Sequence, residues 1–366
     1  MFSNTYKNKK VLVTGHTGFK GSWLTAWLNK IGAEVIGISK DIPTKPSMFE
    51  ELKLEENIKH YLFNLNDLPR LKEVIVNEKP DFFFHLAAQP IVSISYTDPI
   101  DTISTNVLGT ANILESFRFS NHRSTGVIIT SDKAYDNVEQ VWGYKESDLM
   151  GGKDVYSGSK GAAELIFKSY YNSFFKSSKS NLRVATARAG NVIGGGDWAK
   201  DRIIVDCMKA WSKKKIVEIR NPESTRPWQH VLEPVSGYLN LAQKLFIDET
   251  LNGESFNFGP IAEQNYTVKH LIKNLSKYWH YKNADDSFML VNDTSFHEAG
   301  MLKLNCDKAL HYLKWKPTLN FTDTVKFTSE WYYDYYNIKE NIFDKTINQI
   351  NEYETLAREK GLIWME

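Results

Sequence analysis

Short apolar runs alternate with stretches of helical spacing through the first half of the chain. Lys10–Thr14 (Lys-Val-Leu-Val-Thr) reads as a buried strand, and after a glycine turn apolar residues recur at helical spacing over 22–31. Glu34–Ser39 predicts a second strand, 61–65 a third, and 67–78 a helix. Residues 81–86 predict a fourth strand, 103–119 a long helix, 126–130 a fifth strand, 156–175 a further helix and 183–188 a sixth strand. Strands that are apolar throughout are buried on both faces, and their alternation with helices implies a parallel sheet covered on both sides. The expected class is α/β, with a doubly wound sheet.

The first strand runs into Gly15-His16-Thr17-Gly18-Phe19-Lys20-Gly21. Between a strand and a helix, glycines at this spacing permit a tight turn and let backbone N–H groups approach a pyrophosphate at the helix N-terminus. The loop reads as a dinucleotide site in a Rossmann-type sheet; the alternative is an ordinary glycine-rich turn. His16 and Lys20 sit where small or apolar residues pack more easily, and Lys20 either pairs with a phosphate or points to solvent. An acidic residue at the end of the second strand would favour NAD. Ser39 does not decide the matter, Lys40 leaves room for NADP, and Asp41 falls late.

Tyr156 and Lys160 have the spacing Y-x-x-x-K, which places them on one helix face. A lysine ammonium there can lower the tyrosine pKa, so that a phenolate accepts a proton from a sugar hydroxyl. The same spacing recurs at Tyr6/Lys10, Tyr278/Lys282, Tyr312/Lys316 and Tyr335/Lys339, so spacing alone discriminates little. Position separates Tyr156: it opens the helix after the fifth strand, downstream of Thr130-Ser131-Asp132-Lys133. Chemistry in open α/β sheets gathers at the C-terminal ends of strands. There Thr130 can hydrogen-bond a substrate hydroxyl, Asp132 is an acid and Lys133 an amine; the alternative is a solvated turn with a surface ion pair.

After Ala189 glycine, tryptophan and arginine cluster and the apolar runs shorten. This reads as a smaller C-terminal α/β substrate lobe. Residues 1–189 with about 229–259 are expected to form the NAD-binding domain, and 190–228 with 260–366 the substrate lobe. The charged tail beyond Asn337 reads as a capping or surface helix. A net charge of +1 supplies no global field to draw the chain to nucleic acid or membrane. The two cysteines, Cys207 and Cys306, are too few for a disulfide scaffold. The first ten residues lack a signal-peptide core and no apolar run spans a bilayer, so a cytoplasmic enzyme is expected.

These motifs resemble the extended short-chain dehydrogenases that act on nucleotide sugars. The resemblance rests on the glycine loop, His85-Leu86-Ala87-Ala88, Asn106, Thr130 and the Tyr156/Lys160 pair. More narrowly, the glycine loop through Ser22-Trp23, His85-Leu86-Ala87-Ala88-Gln89-Pro90 and Thr130-Ser131-Asp132-Lys133 are similar to CDP-glucose 4,6-dehydratases. So are the string from Ala187 to Trp198, Arg226-Pro227-Trp228-Gln229-His230-Val231 and Leu313-Lys314-Trp315-Lys316-Pro317. The resemblance implies NAD, rather than NADP, held by the loop Gly15 to Gly21 and by Asn64, Leu65, Leu86, Ala87, Ala88, Asn106, Tyr156 and Lys160. Asn64 departs from the aspartate usual in the wider family, Ala134 from a common cysteine and Val205 from a common proline.

It also implies the reaction. Tyr156 takes the proton of the glucose 4-hydroxyl while NAD⁺ takes the hydride from carbon 4; water is lost across carbons 5 and 6; hydride returns to carbon 6 and a proton to carbon 5. Asp132 would protonate the leaving hydroxyl and Lys133 would be the carbon-5 base. Asp132 must then hold its proton, and the Lys133 pKa must fall, through burial beside Lys160. Gln89, Asn191, Arg202, Arg220 and Arg226 are candidates for the substrate, the arginines for its diphosphate. Trp198 and Trp228 read as core rather than stacking partners. No metal is implied. A homodimer or homotetramer is expected. The alternative readings are a nucleotide-sugar 4-epimerase, a 4,6-dehydratase of another nucleotide sugar, and a non-catalytic cofactor-sensing protein.

Overall fold

The continuous apolar run of β1 (Lys10–Thr14) becomes the centre of the sheet, because both of its faces find helices to bury against. The computed structural model describes residues 1–177, 179–279, 281–291, 301–339 and 341–365. After β1 come α1 (Phe19–Lys30), β2 (Glu34–Ser39), β3 (Lys59–Leu62), α2 (Leu68–Glu78) and β4 (Phe82–His85). Then follow α3 (Gly109–Ser120), β5 (Ser124–Ile129), α4 (Val155–Tyr170) and β6 (Leu182–Ala189). The remaining long elements are α5 (Ile203–Trp211), α6 (Leu232–Ile247), β7 (Ser255–Phe258), α7 (Val268–Ser276), α8 (Phe321–Tyr333) and α9 (Ile342–Glu359).

Seven parallel strands pair in the order β7-β6-β5-β4-β1-β2-β3. The order reverses between β1 and β4, and that switch point opens a crevice at the carboxyl ends of the strands. One core cluster, with Trp23, Trp27, Val127 and Tyr238, fills one side of the sheet; Leu12, Phe83, Leu114 and Phe167 fill the other. The chain leaves the sheet after β6, forms α5 and short strand pairs, and returns through α6 to β7. Trp198 and Trp228 are both buried, their indole N–H groups donating to Tyr336 Oη (3.1 Å) and Tyr266 O (3.0 Å).

Local chemistry moved some boundaries. The third strand is Lys59–Leu62, not 61–65, because the amide of Asn66 bonds Asn64 Oδ1 (3.0 Å) and turns the chain out of the sheet. The long helix starts at Pro99, where Asp98 caps it through the Asp101 amide (3.0 Å), and passes through a π-helical turn, Ser104–Leu108, into α3. The tail helix α9 caps the first lobe. Tyr353, Ile350 and Ala357 are buried, and Glu354 accepts from Trp27 Nε1 (2.8 Å) and Lys30 Nζ (2.8 Å) of α1. Among the described residues no helix is long and apolar enough to cross a membrane.

Candidate active site

Gly15 ends β1 with φ +77°, and a Cβ there would stand 2.7 Å from the Ala87 amide nitrogen, so the β1 turn and the loop after β4 meet backbone to backbone. A Cβ on Gly21 would lie 2.0 Å from Gly15 O. Gly18 caps α1, whose first N–H groups face the cradle between the two loops. The loop after β4 is anchored from below. Thr14 Oγ1 lies 2.7 Å from His85 Nδ1 and accepts from the Ala87 amide (3.3 Å), and His85 Nε2 reaches Thr110 Oγ1 (3.2 Å). Burial, with the Lys160 charge adding to it, pushes His85 down to about 3, so this relay is neutral.

His16 turns away from the cradle. Its ring packs on Gly37 and Phe49, its Nδ1 pairs with Ser39 Oγ (2.9 Å), and burial lowers it to about 4. Ser39 Oγ also accepts from the Thr17 amide (3.3 Å), while Thr17 Oγ1 donates to Asp41 O (2.7 Å). Phe19 packs against the core and Leu65 is buried, its carbonyl accepting from Asn112 (3.0 Å); Asn64 and Ala88 are half-buried at the cleft rim. Asn106 lies in the π-helical turn and joins three parts of the site. Its Oδ1 accepts from the Gln89 amide (2.8 Å), and its Nδ2 donates to Gln89 O (3.2 Å) and Ser159 Oγ (2.8 Å) of α4.

Asp154 caps α4 through the Ser157 amide (2.9 Å), which sets Tyr156 in the first turn and Lys160 one turn on. Burial pushes the Tyr156 phenol above its ordinary value; the Ser131 hydroxyl and the Arg202 charge pull it back. The pull expected from Lys160 is not among the largest of these influences. Instead Lys160 is itself pushed down to about 7 by burial and the Lys20 charge. Lys20 is lowered to about 8 by burial and Arg202, against the attraction of Asp132 and Asp197. Asp132 is buried and its carboxyl is raised by desolvation, against the pulls of Lys133, Ser131 and Lys20. Gly190 borders it closely: a Cβ there would lie 2.8 Å from Asp132 Oδ2. Tyr156, Asp132, Lys20, Lys160 and Arg202 thus share one cleft.

Other expectations need correction. Thr130 Oγ1 points behind the strand end and donates to Glu164 Oε1 (2.5 Å), so the hydroxyl that acts on Tyr156 belongs to Ser131. Lys133 is exposed, its Nζ 5.9 Å from the centroid of the Tyr156 ring; the burial expected for it falls instead on Lys160, with Lys20 half-buried. Gln89 has its amide tied up, Nε2 donating to Thr102 Oγ1 (2.9 Å) and Ile91 O (3.0 Å), with Oε1 accepting from the Ile91 amide (2.6 Å). Arg220 is exposed and acts on Asp206, and Arg226 donates to Thr225 O (2.8 Å). Arg202 reaches the cleft with its Nε buried and without a partner among the described residues. Asn191 is half-buried beside Gly190, its carbonyl accepting from the Gln229 amide (3.2 Å).

Residues 12–328 match the profile of a family described as GDP-mannose 4,6 dehydratase. The chain belongs to this family. A CDP-glucose 4,6-dehydratase of Salmonella typhimurium is 46% identical over 90% of this chain and 92% of its own. A probable dTDP-glucose 4,6-dehydratase of Sinorhizobium fredii is 27% identical over 88% of this chain and 92% of its own. Among solved structures, a UDP-glucose 4-epimerase of Thermotoga maritima with UDP-glucose superposes with TM-score 0.77 at 22% identity, covering 89% of this chain and 99% of that one. A dTDP-glucose 4,6-dehydratase of Streptomyces venezuelae, solved with NAD, gives 0.76 at 20%, covering 91% and 99%. These two carry the fold.

Within this family frame the sequence reading missed Ser131, Glu164 and Arg188. A signal was present for the last two. Glu164 continues the tyrosine–lysine register one turn further, and Arg188 is a charge flanked by alanines at the carboxyl end of a buried strand, which demands a buried partner.

Proposed function

We propose that this protein converts CDP-glucose to CDP-4-keto-6-deoxyglucose and water, as a cytoplasmic 4,6-dehydratase that keeps NAD bound. The observation that carries the reading is the 46% identity, over 90% of the chain, to a relative of that name. The cleft supports it, because a carboxyl whose hold on its proton is raised by burial, beside a tyrosine, is what an elimination needs and a 4-epimerase does not. The glycine cradle fits a dinucleotide, since the absence of a Cβ at Gly15 lets the loop after β4 close backbone to backbone on the turn that opens α1. Residues 1–189 with about 229–259 would hold the cofactor and 190–228 with 260–366 the nucleotide sugar, except that α9 and Trp364 pack on α1 of the first lobe.

NAD, when bound, accepts hydride from carbon 4 and returns it to carbon 6. Tyr156 takes the proton of the 4-hydroxyl, and Ser131 and Arg202 favour the ionised phenol that this requires. The ketone so formed acidifies the carbon-5 hydrogen. Lys133 reaches over the Tyr156 ring from the solvent side and is the candidate base for it, once bound nucleotide sugar covers the amine and takes it out of water. Asp132 gives its proton to the departing 6-hydroxyl, and water leaves. Arg202, with an uncommitted buried Nε, is the first candidate for the diphosphate.

Two helical segments carry exposed Ile100, Ile103, Leu108, Leu165 and Phe174 side by side, which supports self-association of this face as a homodimer or homotetramer, testable by light scattering. The deciding experiment incubates the purified protein with CDP-, dTDP-, GDP- and UDP-glucose and NAD, with mass analysis of the products. Loss of water from the CDP sugar alone is expected. A product of unchanged mass with galactose configuration would replace the reading with a 4-epimerase.

A further inference from the structure

The turn that carries the acid, Ser131 to Ala134, belongs to no strand and to no long helix. It is held at its two ends. Thr130, just before it, donates to Glu164 Oε1 (2.5 Å). Tyr135, just after it, accepts from Arg188 Nη1 (2.6 Å) and donates to Asn257 Oδ1 (2.8 Å). The Arg188 guanidinium also lies over the Tyr135 ring, 4.9 Å from its centroid. Glu164 and Arg188 are joined by two parallel bonds, Nε to Oε1 (2.9 Å) and Nη2 to Oε2 (3.0 Å), and both residues are buried. Glu164 stands on α4, on the same face as Tyr156 and Lys160. Arg188 stands on β6, and Asn257 on β7.

We propose that the buried Glu164–Arg188 pair is a clamp that positions the acid turn against the tyrosine helix for the elimination step. The inference rests on the dehydratase reading. A buried ion pair gives little net stability, because desolvation offsets the attraction; its fixed fork geometry gives orientation instead. Here that orientation reaches both flanks of the turn at once. Glu164 ties Thr130 to the helix bearing Tyr156, and Arg188 ties Tyr135 to β6. In the elimination the carbon-5 proton passes to the base, for which Lys133 is the candidate, and the electrons of that C–H bond form the new double bond, while Asp132 delivers its proton to the 6-hydroxyl oxygen as the carbon–oxygen bond breaks. This step depends on where Asp132 sits. Removal of the 4-hydroxyl proton depends first on Tyr156 and Lys160 of α4, which keeps its own cap, and only secondarily on the Ser131 hydroxyl at the start of the turn. Loosening the clamp therefore slows elimination more than oxidation. Glu164, Arg188, Thr130 and Tyr135 are positioning residues.

The test compares Thr130→Val and Tyr135→Phe with a control, Thr186→Val. Thr186 Oγ1 also bonds Glu164, at Oε2 (2.9 Å), but holds neither flank of the turn. Single-turnover kinetics with the nucleotide hexose that the wild type dehydrates follow reduced cofactor against loss of water. Amide hydrogen exchange of the free protein follows residues 131–135. The expected result is an elimination rate about tenfold or more lower in Thr130→Val and Tyr135→Phe, with reduced cofactor accumulating and KM unchanged. Exchange over 131–135 should rise in those two and stay at the wild-type level in Thr186→Val, whatever the melting temperatures. Equal behaviour of the three variants, or oxidation and elimination slowed alike, overturns the clamp while leaving the functional reading intact. A wild type that dehydrates no nucleotide hexose overturns both.

Discussion

Glu233 offers a prediction in which proton linkage can be worked through to a stability curve. It lies in the first turn of α6, 1% exposed. Its Oε1 accepts from the amides of Thr318 (3.0 Å) and Leu319 (2.6 Å), and its Oε2 from Tyr353 Oη (2.9 Å) of α9. Burial raises the carboxyl from 4.5 to about 7, against the pulls of the Leu319 and Thr318 amides, Tyr353 and the Lys360 charge. The folded state thus binds the proton more tightly than the unfolded chain. The stability linked to this site is whole below the unfolded value and is lost as pH rises through about 7. At roughly 1.4 kcal/mol per unit, the loss approaches about 3 kcal/mol once the group is ionised. Glu233→Gln keeps a carbonyl acceptor for the two amides and offers an N–H to Tyr353, which can pass its own proton to Ser236 (3.0 Å). Urea unfolding from about pH 5 to about pH 8 should show the wild type losing about 3 kcal/mol relative to the variant across neutrality, because the lowered His16, His85, Lys20 and Lys160 titrate alike in both proteins. Parallel curves would refute the assignment of this pH dependence to Glu233.

Three further outcomes test the site. Gly15→Ala must place a Cβ 2.7 Å from the Ala87 amide in a left-handed backbone, so NAD affinity by calorimetry should fall by about tenfold or more with circular dichroism unchanged; undiminished affinity would move the cofactor elsewhere. Lys133→Met should retain reduction of the cofactor but lose release of water, and elimination at near wild-type rate removes Lys133 as base. Glu164→Leu strands the Arg188 guanidinium in the interior and should cost about 3–5 kcal/mol in chemical denaturation, where a loss under about 1 would show the charge to be solvated. In the wild type, burial would raise Glu164, but Arg188 and the Thr130 and Thr186 hydroxyls hold it below its usual value. The stability it brings is present above that usual value and is lost as pH falls through the folded one.

The strands of the first lobe were legible because Val11-Leu12-Val13, Phe82-Phe83-Phe84 and Val127-Ile128-Ile129 have no polar face to offer solvent. The third strand was misplaced because an Asn64 side chain bonding two residues on competes with the ladder, and apolar spacing does not report such a bond. Thr130 and Ser131 are adjacent hydroxyls on opposite faces of the strand end. Which one meets Tyr156 depends on the phase of β5, set by its pairing with β6 up to Ile129 and Ala187. That pairing is tertiary and absent from local pattern. Lys133 failed similarly: the spacing puts it beside Asp132, but exposure is decided by what packs above the turn. Gln89 had the right chemistry and the right loop, and only the nearness of Thr102 shows that its amide is already engaged.

The aromatic seal between the two ends of the chain bears on how the protein is made. Phe2 stacks on Trp364 with ring centroids 5.5 Å apart, and Trp27 and Tyr353 complete the packet around that indole. A ribosome releases the segment bearing Phe2 and Trp27 long before it releases the one that covers them. For most of translation the helix that opens on the glycine cradle therefore carries an uncovered aromatic face. The aromatic packet of the first lobe closes only after residue 364 has left the exit tunnel.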